Sequence, residues 1–108
     1  MGVLDGKISV ITGAGGALGS AYAIAIAQAG AAVAVSDVNL NAARITADTI
    51  AKAGGRAISV KADATDATAF EALFHRAVAE LGPVDVLVNV AGVGAMRSTR
   101  ERSKIFGR

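Results

Sequence analysis

A run of small residues, lying between an apolar stretch and an alanine-rich segment, has the clearest chemistry in this chain. It follows the apolar residues 8–11 and reads Thr12-Gly13-Ala14-Gly15-Gly16-Ala17-Leu18-Gly19. Glycine lets a strand turn sharply into a helix and lets backbone N–H groups approach a phosphate more closely than a Cβ would permit. The first helical turn adds unpaired N–H groups and the positive end of the helix dipole. The segment predicts a nucleotide-phosphate cradle formed by Gly13, Gly15, Gly16, Ala17, Leu18 and Gly19.

The spacing of the small residues departs from the GxGxxG form, because Leu18 stands where the third glycine would fall. It fits the looser form TGxxx[A/G]xG, with Gly13, Ala17 and Gly19 at the small positions. Such a segment is weak evidence by itself, since a glycine-rich turn from strand to helix also occurs without a ligand. Signals elsewhere in the chain must decide between the two.

An acidic residue at the end of the second apolar run provides such a signal. Asp37 lies 24 residues after Gly13, close to the spacing of about 20 expected for an acid that binds a ribose 2′-hydroxyl. A carboxylate there favours NAD and would repel the 2′-phosphate of NADP. Neither the glycine turn nor the two positions after Asp37 carry Arg or Lys to compensate. The alternative is that Asp37 merely starts a turn into the next helix, although Asn39 or Asn41 is the better N-cap candidate.

The elements that must position these residues alternate along the chain. Runs rich in Val and Ile that are not strictly alternating indicate parallel strands covered on both faces. We predict strands at about 7–11, 32–36, 56–60 and 84–88, and helices at about 17–29, 40–53 and 67–81 that end at Gly30, Gly54-Gly55 and Gly82-Pro83. This order predicts an α/β fold: a Rossmann-like, doubly wound parallel sheet of order 3-2-1-4 that stops after strand four.

The third predicted helix has the clearest apolar stripe. Its members recur at helical spacing and should face the sheet: Phe70, Leu73, Phe74, Ala77, Val78 and Leu81. His75 lies just off this stripe beside Arg76, so we expect a solvated helix residue rather than a catalytic or metal-binding one. The chain is alanine-rich and its aromatic content is 4%, so helices should pack closely on the sheet through small side chains.

Two further segments follow strands three and four, at the edge of the sheet where the glycine turn and Asp37 also lie. They read Asp63-Ala64 and Asn89-Val90-Ala91-Gly92. With these residues, the chain closely resembles the short-chain dehydrogenase/reductase family over residues 1 to about 94. The resemblance implies that Asp63 and Ala64 contact adenine, and that Asn89, Ala91 and Gly92 line the nicotinamide side. It also implies that Thr12 braces the turn against strand four, while Val90 replaces an asparagine of the family pattern.

The resemblance implies an oxidoreductase that transfers hydride between NAD and an alcohol or ketone. The family's catalytic Ser and Tyr-x-x-x-Lys lie beyond strand four and have no counterpart here, since the one tyrosine, Tyr22, falls in the first helix. We therefore expect residues 1–94 to be an NAD-binding half-domain without catalytic residues, inactive alone, that takes its substrate in a longer form. The alternative is a non-catalytic nucleotide-binding module that acts with a partner chain. The substrate cannot be assigned, and the exposed strand-four edge predicts self-association.

Composition narrows the function classes. The net charge is +2, but residues 1–94 carry −2 and residues 95–108 carry +4, so a basic tail sets the overall charge. That tail has one aromatic residue, Phe106, and no long amphipathic pattern, so we predict neither nucleic-acid nor membrane binding. The chain has no cysteine, which excludes a thiolate metal site and is consistent with the cytoplasm. No metal site is predicted.

Overall fold

The fold is known from a computed structural model that describes residues 2–90. Strands and helices alternate strictly along this part of the chain, as the apolar runs and glycine stops predict. The elements are β1 (Ile8–Thr12), α1 (Ala17–Gln28), β2 (Ala32–Asp37), α2 (Leu40–Lys52), β3 (Ala57–Lys61), α3 (Ala67–Glu80) and β4 (Val86–Asn89). The predicted tail at 95–108, together with Ala91 and Gly92, lies outside the described residues.

The four strands form one parallel sheet in the order β3-β2-β1-β4, so the predicted topology is confirmed. β1 is the central strand and pairs with β2 from Ile8↔Ala32 and with β4 up to Thr12↔Asn89. All five residues of β1 are buried. A central strand buried on both faces explains why its sequence is almost continuously apolar rather than alternating.

Two hydrophobic clusters cover the two faces of the sheet. One face packs against α3 through Val10, Ala34, Val60 and Leu73. The other face packs against α1 and α2 through Ile50 and through three small residues, Ala23, Ala43 and Ala47. These alanines let the helices lie close to the sheet, as the composition predicts.

Glycines in left-handed backbone geometry end the helices. Gly30, Gly54 and Gly82 follow α1, α2 and α3 with φ of 109°, 91° and 127°, a region that side chains disfavour. Each predicted helix runs one residue too far, because its last predicted residue is the C-cap: Ala29, Ala53 and Leu81.

One member of the predicted α3 stripe does not face the core. Leu73 and Ala77 are fully buried, and Phe70 and Phe74 pack against the same cluster. Val78, however, is 49% exposed, so its predicted packing on the sheet is wrong. A residue one position beyond Ala77 is rotated by about 100° around the helix, which places it at the margin of the stripe. His75 is exposed, as expected.

Within the described residues, no helix combines the length and apolar character needed to cross a bilayer.

Candidate functional site

The carboxyl ends of the four parallel strands bring those predicted site residues that lie within 2–90 to one edge of the sheet. The glycine turn follows β1, Asp37 ends β2, Asp63 and Ala64 follow β3, and Asn89 ends β4. Because α/β sheets of this type bind ligands in the crevice outside these strand ends, this edge is the candidate site.

The glycine turn is compact, and its first residue has left-handed backbone geometry. Gly13 has φ of 66°, and its carbonyl accepts a hydrogen bond from the N–H of Gly16 at 3.2 Å. Gly19 lies directly over the same carbonyl, since a Cβ at Gly19 would come within 2.0 Å of the Gly13 oxygen. The first turn of α1 is therefore packed on the turn that precedes it.

The start of α1 differs from the starts of the other two helices. Asn39 accepts from Ala42 N–H and caps α2, and Asp66 accepts from Thr68 and Ala69 N–H and caps α3. At α1 the N-cap is Gly16, and it makes no side-chain cap. Among residues 2–90, the N-cap of α1 therefore provides no side-chain acceptor for the first-turn N–H groups, a helix start that suits an anionic ligand.

Asp37 joins the glycine turn to the start of α2. Its Oδ2 accepts the N–H of Gly15 at 3.0 Å, and its Oδ1 accepts the N–H of Asn39 at 2.9 Å. Asp37 thus has the turn-forming role that was the alternative for it, and it also fixes its carboxylate against the cradle. Each oxygen keeps a further lone pair for a ligand hydroxyl. Sequence reasoning missed the link to Gly15.

Two further bonds fix Ala14, the buried residue between Gly13 and Gly15. Its N–H donates to the carbonyl of Ser36 at 2.9 Å, and its carbonyl accepts from Oγ1 of Thr46 at 2.9 Å. Sequence reasoning missed Thr46, because a threonine in the middle of a helix has no local pattern that distinguishes it. The hydroxyl of Ser36 is buried and has no hydrogen-bond partner among residues 2–90.

The ends of β1 and β4 are joined by side chains. Thr12 and Asn89 are register partners, and Thr12 Oγ1 donates to Oδ1 of Asn89 at 2.5 Å. The contact that the resemblance implied for Thr12 is therefore present. It holds the amide of Asn89 at the edge of the site.

Asp63 lies in the turn between β3 and α3. Its Oδ1 accepts from Oγ1 of Thr65 at 2.6 Å and from the N–H of Thr65 at 2.9 Å. Both bonds stabilise the ionised carboxyl and lower the pKa of Asp63 below its ordinary value of 3.8, and the bond from the Thr65 hydroxyl is the larger cause. Ala64 beside it is half-buried. The carboxyl is therefore charged at neutral pH and stabilises the turn.

Tyr22 lies on α1 and is 44% exposed, in agreement with its interpretation as a helix residue. In chemical terms, the site offers N–H donors suited to phosphate and carboxylate acceptors suited to sugar hydroxyls.

Comparison with known proteins agrees with this geometry. A family model described as short chain dehydrogenase matches residues 7–105. The 7alpha-hydroxysteroid dehydrogenase of Escherichia coli strain K12 is 47% identical over 91 residues, which are 84% of this chain and 36% of that protein.

Solved structures show the same similarity. A 7alpha-hydroxysteroid dehydrogenase complexed with NADH and 7-oxo glycochenodeoxycholic acid has a TM-score of 0.78 and 46% identity over 80% of this chain and 34% of its own. A short chain dehydrogenase from Mycobacterium avium has a TM-score of 0.79 and 39% identity, over 82% of this chain and 34% of that one. The chain spans about a third of the length of these relatives.

Proposed function

The chain belongs to the short-chain dehydrogenase family, and from that premise we propose that it binds NAD at the carboxyl edge of its sheet. The glycine turn and the first turn of α1 hold the diphosphate, through Gly13, Gly15, Gly16, Ala17, Leu18 and Gly19. Asp37 holds the adenosine ribose. Asp63 and Ala64 contact the adenine, and Asn89, Ala91 and Gly92 line the nicotinamide side.

The observation that carries this proposal is the junction between Gly15 and Asp37. The same carboxylate that accepts the Gly15 N–H lies beside the cradle, so a diphosphate on the turn brings the ribose attached to it within reach of Asp37. A ribose 2′-hydroxyl donates to this carboxylate, whereas a 2′-phosphate meets a like charge. The NADH held by a similar solved enzyme supports the cofactor class, and Asp37 supports NAD over NADP.

The reaction that we propose is hydride transfer between the nicotinamide ring and an alcohol or ketone. When bound, the nicotinamide supplies the hydride chemistry. The part of the protein described here binds and orients the dinucleotide: the turn neutralises its diphosphate, and the amide of Asn89, held by Thr12, supports the nicotinamide end. Relatives that act on hydroxysteroids are consistent with a substrate of the alcohol and ketone class.

A comparison of two cofactors tests the proposal. The 108-residue chain is titrated with NADH and with NADPH, with nicotinamide fluorescence as the signal, and with ADP-ribose as competitor. Because hydrogen bonds to charged groups contribute about 1.5–3 kcal/mol, NADH should bind at least about tenfold more tightly than NADPH. ADP-ribose should displace bound NADH, since most of the proposed contacts are made with the adenosine diphosphate part of the cofactor. Equal affinity for the two cofactors would exclude the assigned role of Asp37.

A further inference from the structure

A buried threonine in α2 contacts the phosphate turn across a long stretch of sequence. Thr46 is 4% exposed, and its Oγ1 donates to the carbonyl of Ala14 at 2.9 Å, 32 residues earlier in the chain. Ala14 itself is fully buried. The contact is therefore a tertiary one, between the middle of a helix and the centre of the glycine turn.

The bonds made by Thr46 and Asp37 lie at opposite ends of one peptide group. The carbonyl of Ala14 and the N–H of Gly15 belong to the same planar unit. Thr46 holds the carbonyl end at 2.9 Å, and Asp37 holds the N–H end at 3.0 Å. A planar group fixed at both ends cannot tilt, and a donor on its carbonyl also polarises the N–H toward the carboxylate.

The neighbouring threonine of the same helix shows the ordinary behaviour. Thr49 Oγ1 donates to the carbonyl of Ile45 at 2.9 Å, the local bond by which a helical threonine usually satisfies its hydroxyl. Thr46 forgoes that local partner for the turn. Since the turn can be closed by its own Gly16 to Gly13 bond, the Thr46 bond sets the orientation of the peptide rather than closing the turn.

We propose that Thr46 is a positioning residue for cofactor binding, acting through the Ala14–Gly15 peptide to hold both the phosphate turn and the carboxylate of Asp37. This inference rests on the proposed function and deepens it. Thr46 itself touches the turn from the core side, and its effect reaches the ligand through that peptide.

The decisive variant is Thr46→Val, which keeps the shape of the side chain and removes the hydroxyl. Thr46 lines a cavity of about 210 Å³ with Gly15, Ser20, Ile24, Ala42, Ile45 and Thr49. Thr46→Ala would widen this cavity and let water reach the Ala14 carbonyl, so its effect should be smaller than that of valine. Thr46→Ser keeps the donor and should restore binding. Thr49→Val is the matched control on the same helix.

The first measurement is independent of cofactor. In the ligand-free chain, we expect hydrogen exchange of the Gly15 amide to accelerate by about fivefold to tenfold in Thr46→Val, which corresponds to the loss of one hydrogen bond. Exchange in Thr46→Ser and Thr49→Val should match the wild type. Unchanged exchange in Thr46→Val would overturn the proposal. Should the valine variant not fold, Asp37→Asn tests the other end of the same peptide, since it changes the acceptor of the Gly15 N–H, and unchanged Gly15 exchange in that variant would overturn the proposal as well.

The second measurement is the affinity for NADH at a temperature at which circular dichroism shows each variant folded. Thr46→Val should bind NADH about fivefold to tenfold more weakly and lose part of its preference over NADPH, with rescue by Thr46→Ser. Faster Gly15 exchange with unchanged NADH affinity would reject the positioning role. A wild type that binds no dinucleotide, with Gly15 exchange still dependent on Thr46, would instead reject the proposed function and leave the peptide anchor standing.

Discussion

The N–H of Gly15 donates to Oδ2 of Asp37 at 3.0 Å, so the glycine turn and the acid at the end of β2 form one unit. The second oxygen of Asp37 accepts the N–H of Asn39, the residue that caps α2. The carboxylate therefore has a fixed orientation before any ligand arrives. Pre-organised acceptors lose less entropy on binding and discriminate better between similar ligands.

Replacement of Asp37 by asparagine tests this unit. Asp37 accepts two N–H groups, one on each oxygen. An asparagine has only one side-chain oxygen, so its NH₂ group would face one of these N–H donors and leave it without an acceptor. We expect Asp37→Asn to weaken NADH binding by about 10-fold to 100-fold, the loss of a charged hydrogen-bond acceptor, with a much smaller loss for NADPH. Fluorescence titration with both cofactors measures this.

The matched control is Asp48→Asn, at an exposed position of α2. It removes one negative charge, as Asp37→Asn does, but from within α2 rather than from the end of β2. Equal losses for the two cofactors in Asp37→Asn would argue against a ribose-specific role, and a loss in Asp48→Asn would point to a general effect of charge.

Substitutions in the glycine turn separate steric packing from ligand binding. A Cβ at Gly19 would lie 2.0 Å from the carbonyl oxygen of Gly13, whereas a Cβ at Gly16 would meet the same oxygen at 3.6 Å, an ordinary contact. We expect Gly19→Ala to lower the free energy of unfolding by about 1–3 kcal/mol, because the start of α1 must move. Gly16→Ala meets no such contact and should cost less, about 0.5–1 kcal/mol, because alanine is a poorer N-cap than glycine.

Urea unfolding followed by circular dichroism compares the two variants directly. Similar unfolding midpoints for Gly19→Ala and Gly16→Ala would show that the first turn of α1 does not pack tightly against the carbonyl of Gly13.

The fold follows from local patterns to a greater extent than the site does. Val-rich runs and glycine stops predict four strands, three helices and the order 3-2-1-4, because the crossovers of parallel strands are right-handed. The helix ends are off by one residue, since a C-cap such as Ala29 has near-helical geometry, with φ −79° and ψ −1°. Sequence cannot distinguish that residue from the last turn.

The site was predicted as a set of positions, and of its internal bonds only the contact between Thr12 and the end of β4 was expected. The strand ends gave the position of Asp37, because parallel strands place their carboxyl ends at one edge. Thr46 and Thr49 look alike in sequence, yet one hydroxyl bonds across 32 residues and the other within its own helix. That difference depends on the distance between α2 and the turn, which arises from packing of the two elements.

The pKa of Asp63 should depend on the hydroxyl of Thr65. Because the Thr65 hydroxyl is the larger cause of the lowered pKa, we expect Thr65→Val to raise the pKa of Asp63 toward 3.8 and to leave part of the shift, owing to the remaining N–H bond. Carboxyl NMR titration of Asp63 measures this, with Thr68→Val in α3 as the control.

The sign of the pH dependence follows from the same shift. A carboxyl with a lowered folded-state pKa stabilises the folded chain fully above its ordinary value of 3.8, and this contribution is lost as the pH falls through the lowered value. The difference in unfolding midpoint between wild type and Thr65→Val should therefore shrink on acidification below about pH 4. A difference that grew in acid would contradict the assignment.

The two sides of α3 provide a final prediction, on stability. Leu73 is fully buried against the β1, β2 and β3 side of the core, whereas Val78, predicted to share its stripe, is 49% exposed. Leu73→Ala leaves a cavity and should lower the free energy of unfolding by about 2–5 kcal/mol, a large part of the stability of a domain this small. Val78→Ala should change it by less than about 0.5 kcal/mol. Urea unfolding of both variants distinguishes them, and a loss at Val78 comparable to that at Leu73 would show that this edge of α3 is covered in solution.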